Sequence, residues 1–193
     1  MNAASQHTLL LDGIWGRPWR WKRLARRIEC EIGGTAEIVY YDMTGRSTFE
    51  TLGQFLLNKI DSTGVDPVNL NIVAHSMGGL VTRAAHLLRP TLRMRRAVLM
   101  NSPLRGSHMA WFLPLAGVRQ MRPGSDLYAR LGEIEPHWKT PTLTIWCPGD
   151  LMILSGWRSR WPVAQQEICC WVPAHIWPAW SRRLQTRIIE FLK

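Results

Sequence analysis

The 193-residue sequence predicts an α/β fold: six parallel strands in one sheet, with helices on both faces. Three observations predict it. Apolar runs with β-branched residues alternate along the chain with segments whose apolar residues recur at helical spacing. Several of those runs are apolar almost throughout, as strands covered on both faces must be. The length suits one full core, and 1–193 reads as a single domain without linker, repeat or low-complexity segment.

The elements follow in order. Thr8–Leu11 is a short strand ending at Asp12-Gly13. A helix is expected from Trp19 to Ile32, with Trp21, Leu24, Ala25 and Ile28 on one face and Gly33-Gly34 stopping it. Glu37–Tyr41 reads as a strand and 42–47 as a loop. Phe49, Leu52, Leu56 and Ile60 make a helical stripe that closes near Gly64. Val68–Ala74 is a strand, and Met77–Leu88 a helix halted before Pro90. Ala97–Met100 is the next strand. The irregular stretch 101–137 holds one short helix, Asp126–Leu131. Thr142–Cys147 and Glu167–Val172 are the last strands, and Trp177–Leu192 is the final helix.

Composition narrows the function classes. No apolar run approaches the roughly 18 residues of a membrane span. The start, Met1 to Thr8, is polar and precedes only a short apolar run, so a cytoplasmic chain is expected; a mature secreted form would look the same. Cys30, Cys147, Cys169 and Cys170 lack metal-ligand spacing and read as buried thiols. The net charge of +10 favours anionic surfaces by steering, and peripheral contact with an anionic membrane is expected. No nucleic-acid motif accompanies the basic residues, so specific nucleic-acid binding is not expected.

One stretch carries chemistry. Between strand and helix sits Ala74-His75-Ser76-Met77-Gly78, a serine with small residues two before and two after it. That is the strand–turn–helix setting in which a serine is exposed on a strained reversal as a nucleophile. Such a serine needs a general base, and the base needs an orienting carboxylate. On an open parallel sheet these should follow the carboxyl ends of later strands. Asp150 follows Thr142–Cys147, and His175 follows the last strand, in the order Ser76, Asp150, His175. Two backbone N–H groups should hold the oxyanion: Met77, opening a helix, and Ile14, in the loop Asp12-Gly13-Ile14-Trp15-Gly16 after the first strand. His75 reads as packing behind the serine, and Asp12 as the partner of an arginine, Arg17 or Arg105.

These motifs resemble the α/β-hydrolase superfamily, and within it the small, lid-poor bacterial lipases and esterases. The resemblance spans nearly the whole chain. Its carriers are Asp12–Gly16, Ala74–Gly79, the runs 101–107 and 120–125, Gly149–Ile153 and Ala174–Ile176. The family usually has His-Gly where this sequence has Asp12-Gly13. The resemblance implies a minimal α/β-hydrolase fold and hydrolysis of carboxylic esters, often acyl lipids, without cofactor or metal. Trp15, Trp111, Phe112 and Leu151 are the expected substrate-binding residues. The apolar run 111–115 reads either as buried packing or as an acyl-binding wall or membrane-touching rim. An acyltransferase, thioesterase or amidase could use the same triad, and a non-catalytic binding protein could use the same fold.

Overall fold

The structure, a computed structural model, describes residues 6–171 and 174–193. Strands β1 (His7–Leu11), β2 (Thr35–Val39), β3 (Leu70–His75), β4 (Arg96–Met100), β5 (Thr142–Trp146) and β6 (Gln166–Cys169) form one sheet in the order β2-β1-β3-β4-β5-β6. Every neighbouring pair is parallel. The helices are α1 (Lys22–Ile32), α2 (Phe49–Ser62), α3 (Met77–Leu88), α4 (Ala116–Gln120), α5 (Asp126–Ile134), α6 (Trp177–Trp180) and α7 (Arg182–Leu192). Among the described residues no helix is long and apolar enough to cross a membrane.

Strand alternation divides the core in two. Leu9, Leu11, Ile72, Ala74 and Leu99 share one cluster with Phe49, Leu56 and Ile60 of α2 and Leu80 and Val81 of α3. Leu10, Val73, Val98 and Met100 join the other, with Leu24 and Ile28 of α1 and Ile188 and Leu192 of α7. Neighbouring residues on a strand face opposite sides, so a continuous apolar run serves both layers.

Several details depart from the sequence reading. The stretch 101–137 holds two helices, α4 and α5, where one was expected, and α1 starts at Lys22 after a 3-10 turn over Pro18–Trp21. β6 ends at Cys169, short of the expected strand. β2 starts two residues early, because Gly34 (φ +81°) turns the chain straight into the sheet, where the Thr35 N–H meets the Gln6 carbonyl at 3.0 Å. β3 starts at Leu70, because Pro67–Asn69 is a 3-10 turn capped by Asp66. The expected final helix is two helices: Ser181 (ψ 115°) leaves the helical region after α6, and its hydroxyl accepts from Leu184 N–H at the start of α7. The thiols are not uniformly buried; Cys147 is, while Cys30 and Cys169 are exposed. Val172 of the expected last strand lies outside the described residues, as do residues 1–5, on which the reading of the polar start largely rests.

The register aligns the strand ends. Leu11 faces Ala74, His75 faces Met100, and Met100 faces Ile145. The loops after β1, β3, β4 and β5 therefore leave from one edge of the sheet. The chain runs from β1 outward to β2, then returns to β3 on the other side of β1, so a crevice opens at that reversal.

Candidate active site

Ser76 stands at that crevice, at the tip between β3 and α3. Its backbone has φ +53° and ψ −123°, a conformation sparsely populated by any residue with a side chain. The reversal is held by the Ser76 N–H donating to the Met100 carbonyl at 2.8 Å. The small residues around it have a steric cause. A Cβ on Gly78 would lie 2.9 Å from the carbonyl oxygens of both Leu11 and Asp12.

Gly13 brings the loop after β1 against the serine. A Cβ built there would lie 2.5 Å from Ser76 Cβ and 2.9 Å from Oγ. The next residue, Ile14, shares a cleft with Ser76. Met77 is the first residue of α3, where backbone N–H groups lack intrahelical partners and the helix dipole is positive.

Asp150 and His175 meet across two loops. Asp150 Oδ2 accepts from His175 Nδ1 at 2.6 Å. Its other oxygen accepts from the N–H groups of Met152 at 2.9 Å and Ile153 at 3.2 Å. The carboxylate is 2% exposed, so it meets the imidazole with little competition from water. This pairing places the proton on Nδ1 and leaves Nε2 as the basic nitrogen. Burial pushes the His175 pKa below its ordinary value, and the Asp150 hydrogen bond acts against that shift.

Two polar side chains that sequence reasoning assigned no site role grip His175 from behind. The His175 carbonyl accepts from Asn101 Nδ2 at 2.8 Å and lies 3.0 Å from His75 Nε2. The His75 and His175 rings are 4.7 Å apart. Ser76 directly follows His75 in the chain, so the His175 loop is tied to the corner that carries Ser76. Asn101 had one visible signal: it is a polar residue immediately after β4, at the same edge as the other site residues.

Among the described residues no guanidinium pairs with Asp12. It is 1% exposed, and its carboxylate accepts from the backbone N–H groups of Gly13 and Arg17, both at 2.8 Å. It also lies 3.2 Å from His75 Nδ1. The expected arginine pair is thus replaced by a histidine and backbone donors. Burial pushes the Asp12 pKa up, but the His75 and Gly13 hydrogen bonds outweigh it and the net shift is downward.

The cleft beside Ser76 is narrow, about 50 Å³, and is walled by Trp15, Met109, Leu113, Val118, Met121 and Met152 among others. Of the expected substrate-binding residues, Trp15 lines the cleft; Trp111, Phe112 and Leu151 do not, but are exposed, each next in sequence to a wall residue. Larger hollows, about 490 Å³ beside Arg96 and Phe191 and about 700 Å³ along β6 and α7, do not include Ser76.

No protein-family model matches the chain, and no curated protein matches it. Solved structures do. The mature form of lipase BlEst2 from Bacillus licheniformis superposes with a TM-score of 0.72 at 14% identity, over 100% of this chain and 94% of that one. An α/β hydrolase from the metagenome of lagoon sediments at Mar Chica, Morocco, gives 0.70 at 16% identity, over 97% and 90%. Carboxyl esterase 2 of the fungus Tuber melanosporum gives 0.62 at 17% identity, over 98% and 77%. At such identities the likeness is one of architecture, and by its architecture this chain has the α/β-hydrolase fold.

Proposed function

We propose that the chain is a serine hydrolase of carboxylic esters, working through Ser76, His175 and Asp150. One observation carries the reading: an Asp150–His175 pair tied through His75 to the strand that ends at a strained serine opening a helix. In the proposed reaction His175 Nε2 takes the proton of Ser76 Oγ as the oxygen attacks the ester carbonyl. The N–H groups of Met77 and Ile14 receive the oxyanion, where fixed donors in a dry site lower the barrier most. His175 then protonates the leaving alcohol. Water, activated by the same imidazole, frees the acid from the acyl-serine. Asp150 holds the imidazole's orientation and stabilises its cation.

The cleft is far smaller than the 300–1,000 Å³ typical of sites that enclose a drug-sized ligand. A short acyl group fits within it, and a longer one would extend across the exposed rim of Trp15, Trp111, Phe112 and Leu151. That rim also supports docking on an anionic lipid surface. Arg122 lies over the Trp111 ring at 4.5 Å, pairing a cation with an amphipathic aromatic. The test is turnover of p-nitrophenyl esters of rising chain length, against matched thioesters and anilides, with Ser76→Ala as control. Ester turnover that is greatest for short acyl groups and absent in the variant is expected. Preference for thioester or anilide would replace the proposed reaction.

A further inference from the structure

His75 has no part in the proton transfers above, yet both its ring nitrogens are engaged. Nδ1 lies 3.2 Å from Asp12 Oδ1, and Nε2 lies 3.0 Å from the His175 carbonyl oxygen. A neutral imidazole offers one donor and one acceptor. Here both nitrogens face oxygens, and a carbonyl oxygen can only accept. Asp12 could donate only if protonated. Its Oδ1 already accepts from Gly13 N–H and its Oδ2 from Arg17 N–H. The carboxyl also holds its proton less tightly than an ordinary aspartate, despite burial. The arrangement is satisfied when His75 carries both protons.

We propose that His75 is a buried imidazolium paired with Asp12, and that it acts as a positioning residue, anchoring the His175 backbone to the strand that carries Ser76. The proposal rests on the reading of Ser76 and His175 as nucleophile and base. It gives the His175 loop two fixed donors on one carbonyl, His75 Nε2–H and Asn101 Nδ2–H, in addition to the Asp150 hold on Nδ1. An isolated buried cation would be costly, and Asp12 supplies its counter-charge.

The titratable groups around His75 come from four loops. Asp12 follows β1. Tyr41 follows β2, donates its hydroxyl to the Asp12 carbonyl and is kept protonated by burial. His175 follows β6, and Asp150 reaches His75 only through His175. Trp21 covers the ring at 6.0 Å with no charge. A fixed positive charge 4.7 Å from the base opposes a second one forming on His175, and Asp12 counters that effect more weakly. Neutralising the pair should therefore make His175 easier to protonate.

The experiment uses the whole chain labelled with ¹⁵N-histidine. At pH 7.5 the His75 spectrum should show both ring nitrogens protonated, in the wild type and in Ser76→Ala. Asp12→Asn, which keeps the shape, should turn His75 into a neutral tautomer. On p-nitrophenyl butyrate, Asp12→Asn should move the acid limb of kcat/KM to higher pH, and His75→Gln should move it further. In both, kcat should fall about 10- to 100-fold with little change in KM. A purely structural role would leave the acid limb in place. A single protonated nitrogen on His75 in the wild type, or an unmoved acid limb in folded Asp12→Asn, overturns the proposal. If His75→Gln does not fold, the spectrum and Asp12→Asn still decide it. A wild type that turns over no ester would sink the hydrolase reading instead, and the spectrum would still report on the ion pair.

Discussion

Ser76 sits in a backbone conformation that costs of order 1–3 kcal/mol and persists only because its surroundings hold it. Gly13 is the tightest of those surroundings. Gly13→Ala would drive a methyl group into Ser76, so kcat on p-nitrophenyl butyrate should fall about a hundredfold while the chain still folds. Unchanged kcat would mean that the loop after β1 can back away from the serine. As the proposed base, His175 should set the pH dependence. Its folded pKa lies below the ordinary 6.5, chiefly through burial, so it stays unprotonated and basic until pH falls below that value. The acid limb of kcat/KM should therefore bend below pH 6.5; a bend above it would contradict the environment described for the ring. At this scale the placing of Ser76, Asp150 and His175 after β3, β5 and β6 was legible from the order of the strands. The partners of Asp12 and the grips on the His175 carbonyl were not. They depend on contacts between residues that share no motif, 63 positions apart for Asp12 with His75, 74 for Asn101 with His175 and 100 for His75 with His175.

The elements are held to the site by small polar devices. Asp42 bonds the N–H groups and hydroxyls of Thr44 and Ser47, and these bonds bring its pKa to about 2. The loop it shapes receives the Trp15 N–H on the Met43 carbonyl at 2.8 Å, beside the proposed oxyanion donor. A carboxylate with a depressed folded pKa contributes stability above its unfolded value, and that contribution is lost as pH falls. Asp42→Ala should thus lower the free energy of urea unfolding at pH 7 by about 1 kcal/mol for a half-buried group, and the two proteins should converge near pH 2. A gap that persists at pH 2 would locate the effect elsewhere. Under α3, Arg83 is buried, donates to the Leu104 carbonyl at 2.8 Å and pairs with Glu135. Glu135→Ala leaves that cation without its carboxylate and should cost about 3 kcal/mol in urea unfolding. A loss within experimental error would show that the pair does not stabilise α3 against the chain after α5. Elements with long apolar stripes, α1 to α3, were legible. The break at Ser181 was not, because apolar residues continue through it and only the cap geometry ends the helix.

Across the whole molecule, the alternation of strands and helices implied the parallel sheet, whereas the strand order emerges only from packing. That order matters because it puts the loops after β1 and β3 on either side of one crevice. The charge of +10 and the exposed aromatic rim around that crevice predict binding to phosphatidylglycerol vesicles at low salt. Binding should weaken at about 1 M salt, where the Debye length is only about 3 Å, and in the Trp111→Ala, Phe112→Ala double variant. Equal sedimentation with neutral and anionic vesicles would contradict the charge part of that account.

The central claim is that Ser76 is an activated nucleophile, and a fluorophosphonate probe tests it with no assumption about substrate. The account predicts one adduct per folded chain, mapped to Ser76, with none on Ser76→Ala and ester turnover in that variant reduced by up to about a million-fold. A folded wild type that stays unlabelled, or a Ser76→Ala protein that turns over ester normally, would contradict it.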